Sequence, residues 1–135
     1  MKQLFLDTGV FVADALPQDV HHTDAVKLRE TYSKTHHPVT HWGVIFETVT
    51  VIRRLSTGDV AARWGRDIRQ SGIAVLAAHD DDWSTAMNLI SKFGEQKLSA
   101  VDAVSFALIR RHNIRIAASF DKHFRIVLPE REIVP

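Results

Sequence analysis

Short apolar runs alternate with amphipathic stretches along the chain, and that alternation predicts strands interleaved with helices. Leu4-Phe5-Leu6 opens directly onto Asp7-Thr8-Gly9, and an apolar run closed by turn residues suits a strand buried on both faces. Val10 to Ala15 reads as a short helix ending at Pro17. Asp19 to about His36 reads as a longer one, with Ala25, Leu28 and Tyr32 on one stripe. Pro38-Val39-Thr40 reads as a brief strand, with Thr40 placed to cap a helix from His41 to Leu55. That helix carries Val44, Ile45, Thr48, Val51, Ile52 and Leu55 on its apolar face. Another helix runs from Thr57-Gly58-Asp59 to Gly72, followed by the strand Ile73 to Ala77 and a helix from His79-Asp80-Asp81-Asp82 to about Phe93. Ser99 opens a helix from Ala100 to Arg111, and Ile114 to Ser119 is a strand. Phe120 to Phe124 is a turn, and Ile126-Val127-Leu128 a last short strand. The expected fold is α/β, a mostly parallel sheet with helices on both faces and ligands meeting the carboxyl ends of the strands. Asp7 and Asp121 both fall just beyond a predicted strand.

With 135 residues the chain is expected to form a single domain, large enough to bury a core without cross-links. Its four prolines are expected at element edges. The lack of cysteine excludes disulfides, thiolate metal sites and thiol catalysis. Lys and Arg number 17 against 16 Asp and Glu, so a polyanion would have to meet a local patch rather than a basic coat. No apolar run approaches the ~18 residues of a membrane span. An acid at Asp7 comes too early for a secretion signal, so a soluble cytoplasmic protein without membrane partners is expected.

Four acids are candidates for chemistry, and each has a plainer explanation. Asp7 ends a strand and could simply cap the next helix. Asp102 sits in Ser99-Ala100-Val101-Asp102, a capping-box pattern that by itself favours a structural role. Asp121 lies in a turn, where aspartate is at home. Glu47 is the odd one, because it shares a helix face with Gly43, Val44, Thr50 and Val51. Of the nearby bases Arg53 and Arg54, only Arg54 could reach that face, two turns away. A buried carboxylate needs a partner, although a head group in water at the edge of the stripe stays open. Taken together, clustered carboxylates suit Mg²⁺ or Mn²⁺, which prefer oxygen ligands and can activate water for attack on a phosphate.

Leu4-Phe5-Leu6-Asp7-Thr8, the helix bearing Glu47, Leu98-Ser99-Ala100-Val101-Asp102-Ala103 and Ser119-Phe120-Asp121-Lys122-His123-Phe124 together resemble the PIN domain. More narrowly, the chain looks like the VapC-type toxins of bacterial toxin–antitoxin pairs. The resemblance implies an α/β/α sandwich and endonucleolytic cleavage of RNA with Mg²⁺ or Mn²⁺. It further implies a cognate antitoxin and a homodimer. Carried over, Asp7, Glu47 and Asp102 would be the main metal-site acids and Asp121 would complete the cluster, with Thr8 and Ser119 in support. Gly9 departs from the pattern, standing where many relatives carry Ser or Asn, so a side-chain contact near the site is missing.

Other features carry less. His79-Asp80-Asp81-Asp82 lacks the glycine of a calcium loop and suits a helix start. His37 and His41 have a zinc-like spacing, but Pro38 and a strand between them remove the helix that spacing needs. Arg53, Arg54, Arg63 and Arg66 are candidates for phosphate-backbone contact, set against a solvated face in which Arg63, Arg66 and Arg69 interleave with Asp59 and Asp67. Trp42, Trp64 and Trp83 are scattered and read as packing residues rather than base-stacking platforms. Outside the nuclease class, a phosphoacceptor receiver domain has similar length and layering. It would need an acidic pair after the first strand, where this chain has Asp7-Thr8-Gly9. A nuclease of RNA maturation or decay, and a PIN-like RNA-binding module without catalysis, are the remaining alternatives.

Overall fold

The first strand sets the layering of the molecule, whose computed structural model describes residues 1–135. β1 (Lys2–Leu6) packs Leu4 with Val10 of α1 (Thr8–Ala15) and Leu28 of α2 (His22–Tyr32). Its next residue, Phe5, packs with Phe106 of α6 (Ala100–Arg111) and Phe124 of α7 (Lys122–Val127). Successive strand residues face opposite sides, so one apolar run supplies two interfaces. Phe5, Phe106 and Phe124 are fully buried. At about 1.5–3 kcal/mol for each large apolar side chain, this cluster outweighs any single polar contact nearby.

The remaining elements are β2 (His36–His41), α3 (Trp42–Leu55), α4 (Gly58–Gln70), β3 (Ala74–Leu76), α5 (Asp80–Lys92), β4 (Ile116–Ala118) and β5 (Glu132–Val134). All five strands are parallel, in the order β3-β2-β1-β4-β5. Helices cover both faces, giving the expected α/β/α sandwich. α5 pairs with α6, α1 with α2, and α3 packs against α1, α4 and α6. The chain moves outward from β1 to β2 and β3, then returns to lay β4 on the other side of β1. Connections leaving β1 and β4 therefore diverge, which opens a crevice at the carboxyl ends of those strands. Asp7 follows β1 and Ser119 follows β4. No helix is long and apolar enough to cross a membrane.

Three local expectations are corrected. Ile126-Val127-Leu128 is not a strand: Ile126 and Val127 close α7, and the fifth strand is Glu132–Val134. Asp121 caps α7 by accepting from the His123 amide at 2.8 Å, and the buried Phe124 and Val127 share its inner face at helical spacing. Thr40 does not cap α3; its hydroxyl donates to the Leu6 carbonyl at 3.0 Å inside the sheet, and His41 caps the helix instead. Pro38 lies inside β2 rather than at an edge. It sits where β2 pairs with β1 alone, one residue before β3 begins opposite Val39, so its missing N–H deprives β3 of no partner.

The acids at His79-Asp80-Asp81-Asp82 do start a helix, and Asp82 accepts from the His79 amide at 2.9 Å. Asp82 is only 3% exposed, and the Arg111 guanidinium donates to its two oxygens at 2.8 and 2.9 Å. That bidentate pair holds the Asp82 carboxyl below the usual carboxylate range. Arg111→Ala should leave a buried carboxylate without its cation. The melting temperature is expected to fall measurably, because removing the cation leaves the buried Asp82 charge uncompensated. Thermal unfolding of the variant checks this; an unchanged midpoint would mean that water already solvates Asp82.

Candidate active site

Asp7 occupies the N-cap position of α1, yet its side chain makes no capping bond. Instead the Ser119 hydroxyl donates to Asp7 Oδ2 at 2.8 Å and accepts from the Asp121 amide at 3.0 Å. One serine thus ties the end of β1 to the loop after β4. The backbone reinforces this, since the Asp7 amide donates to the Ala118 carbonyl at 3.1 Å. Asp7 is 4% exposed, and its Oδ1 is buried with no hydrogen-bond partner. The Thr8 hydroxyl beside it is also buried and unpartnered.

Asp102 is buried in the first turn of α6. The capping-box reading is half right: Ser99 Oγ accepts from the Asp102 amide at 3.1 Å, but the Asp102 carboxylate makes no return bond to the Ser99 amide. The carboxylate is left facing other acids. Burial first, then the charges of Asp7, Asp121 and Glu47, push Asp102 up from 3.8 to about 8. Burial likewise lifts Asp7 to about 6, partly offset by the Ser119 hydroxyl and added to by Asp121 and Glu47. All four acids therefore lie within electrostatic reach of one another. Asp121 is half-buried, and its Oδ1 meets His123 Nδ1 at 3.0 Å. Donor atoms of Asp102, Asp121 and His123 lie within 4.8 Å of one another. His123 carries no sequence signal of a role, because only the helical turn after Asp121 brings it back to the acid.

Glu47 is half-buried and makes no ion pair, even with Arg54. The two line one open cleft of about 520 Å³ together with Gly43, Phe46, Thr50 and Val101. Of the four arginines proposed for phosphate contact, Arg54 shares this cleft, whereas Arg53, Arg63 and Arg66 are exposed on α3 and α4 away from it. Gly9 leaves open space, with Phe120 the nearest neighbour that a Cβ would meet, at 3.9 Å.

A clamp that the sequence did not reveal fixes α3 against α6. The His41 ring is 3% exposed. Its Nδ1 accepts from the Gly43 amide at 3.1 Å, so Nε2 carries the hydrogen and donates to Ser105 Oγ at 2.8 Å. Ser105 in turn donates to the Val101 carbonyl at 2.9 Å. Burial lowers His41 to about 4, which keeps it neutral. A Cβ at Gly43 would lie 2.7 Å from His41 Cε1, so the ring occupies space that only glycine leaves. The zinc-like spacing of His37 and His41 thus has a structural explanation for His41.

A family model described as PIN domain matches residues 4–127. The chain belongs to the PIN domain family. Among solved structures, this PIN domain is similar to VapC20 of Mycobacterium tuberculosis, described as a sarcin-ricin loop cleaving toxin. The TM-score is 0.83 at 27% identity, over 92% of this chain and 94% of that one. It shares the fold of VapBC2 from Rickettsia felis, solved on a promoter DNA fragment, with a TM-score of 0.72 at 12% identity over 96% of each chain. No curated protein matches the sequence significantly.

The donor set of this PIN domain fits a divalent cation. Asp102, Asp121 and His123 bring donor atoms close together, Asp7 Oδ1 is buried without a partner, and a cation would offset the burial and neighbouring charges that raise Asp7 and Asp102. The raised acids also set a pH dependence. In the folded chain Asp7 and Asp102 hold protons up to about 6 and about 8, whereas unfolded aspartates ionise near 3.8. Stability is therefore greatest below pH 4 for these groups and is lost as pH rises through both folded values. With chelator present, the melting temperature should fall between pH 5 and pH 8. Asp102→Asn should flatten that fall, and Mn²⁺ at pH 8 should reverse it. A midpoint independent of pH would show that the acids are already ionised in the folded protein.

Proposed function

We propose that this chain is a Mg²⁺- or Mn²⁺-dependent endoribonuclease, the toxin of a type II toxin–antitoxin pair, working in the cytoplasm as a single nuclease domain. The observation that supports this reading is the cluster of donor atoms from Asp102, Asp121 and His123, with Asp7 Oδ1 buried and unpartnered and the charges of Asp7 and Glu47 felt at Asp102. Membership of the PIN family and the likeness to VapC20, described as a sarcin-ricin loop cleaving toxin, support the reaction and the RNA substrate. A cognate antitoxin and a second copy of the chain are the proposed protein partners.

In this reading Asp7, Glu47, Asp102 and Asp121 hold the cation. When bound, that ion supplies a water of lowered pKa and neutralises charge on the phosphate under attack. Ser119 orients Asp7 Oδ2, leaving Oδ1 free to serve as a ligand, and the His123 amide and ring fix Asp121 Oδ1. Thr8 adds a hydroxyl at the same buried corner. Arg54 lines the same cleft as Glu47, two turns further along α3, as a cation for the phosphate backbone.

Asp7→Asn and Asp102→Asn should each reduce RNA cleavage with Mg²⁺ or Mn²⁺ by at least about 100-fold while the protein stays folded. Chelation should silence the wild type. Growth arrest on expression should disappear in both variants and should be relieved by the protein encoded beside the gene. Full cleavage by either variant would refute the assigned chemistry; cleavage without growth arrest would favour a role in RNA maturation or decay.

A further inference from the structure

Two aromatic side chains beside Glu47 are exposed rather than packed. Phe46 is 65% exposed and Trp42 43% exposed, so the expectation that Trp42 is a packing residue does not hold, whereas Trp64 does pack, edge-on against Phe11. Trp42 and Phe46 lie one helical turn apart on α3, with ring centroids 5.7 Å apart and planes tilted by 31°. The Arg69 guanidinium of α4 sits over the Trp42 ring at 4.9 Å. Phe46 also forms part of the cleft that contains Glu47 and Arg54. Neither Arg54 nor Arg69 pairs with a carboxylate.

We infer that Phe46 and Trp42 form a stacking ledge for unpaired bases of the RNA substrate, with Arg54 and Arg69 taking the adjoining phosphates. The inference rests on the ribonuclease reading above and adds a preference for single-stranded segments. The mixture of groups points to a nucleotide. An aromatic face suits any base, an unpaired arginine suits a phosphate, and the neighbouring acid belongs to the cleavage site. A volume of about 520 Å³ accommodates a nucleotide. A duplex cannot use the ledge, because its bases are already stacked on one another.

The test measures binding, by fluorescence anisotropy in chelator, of a labelled single-stranded RNA 12-mer and of the same strand as a duplex. Phe46→Ala should weaken single-strand binding about 10-fold, in line with the loss of one stacked base. It should leave the duplex affinity and the melting temperature unchanged, since Phe46 is exposed. Phe46→Tyr should stay within about 2-fold of wild type. Arg54→Ala should flatten the salt dependence, whereas Phe46→Ala should not. Equal binding by Phe46→Ala and wild type, in a protein that cleaves RNA, would overturn the ledge and leave the nuclease reading intact. Loss of self-association in Phe46→Ala, seen by light scattering, would assign the face to a second copy and overturn the ledge as well. A wild type that neither binds nor cleaves RNA would sink both readings.

Discussion

Like charges held in a buried corner repel, and the architecture around the four acids keeps them from moving apart. The restraint begins with the sheet. Because β4 returns beside β1 rather than extending the run toward β3, the loops carrying Asp7 and Asp121 leave adjacent strands at a point of divergence. Ser119 closes that junction with a hydroxyl that serves one acid as donor and the other's amide as acceptor. Asp102 is brought in from the opposite layer by a helix whose residues 103 to 109 are all buried, so the acid cannot retreat without disturbing the core. Glu47 and Asp121 are half-buried and within reach of water, whereas Asp7 and Asp102 are buried.

The polar and apolar parts of this arrangement do different jobs. Phe5, Phe106 and Phe124 hold β1, α6 and α7 together, and those are the elements that present Asp7, Asp102 and Asp121. Apolar burial supplies the free energy, and it is non-directional. Direction comes from a few short bonds: Ser119 to Asp7, His123 to Asp121, and the His41–Ser105 clamp between α3 and α6. A mutation in the first group would loosen the whole molecule, whereas one in the second would misalign a carboxylate in a protein that still folds.

Much of this could be read in the sequence, and the gaps have physical causes. Strands β1 to β4 and the main helices announce themselves because buried parallel strands are apolar runs and their covering helices carry one apolar stripe. The C-terminal elements are not legible because Ile126-Val127-Leu128 has no period of its own, and a short apolar triplet fits either a strand or a helix end. β5 is three residues on a sheet edge, too short to show alternation. Asp7 and Asp102 both sit at helix starts, where a capping role accounts for an acid; only three-dimensional geometry shows that neither carboxylate is spent on the cap. Trp42 was misjudged because composition cannot distinguish a tryptophan in the core from one lying under an arginine.

The tight fit of the His41 ring over Gly43 makes those two positions a single heritable unit. A side chain can appear at 43 only in a lineage that has already exchanged the imidazole at 41 for something smaller, and a smaller capping residue would give up the bridge to Ser105. Variation at 41, 43 and 105 should therefore travel together in descendants of this chain, and a library that randomises any one of the three alone would sample mostly misassembled active sites.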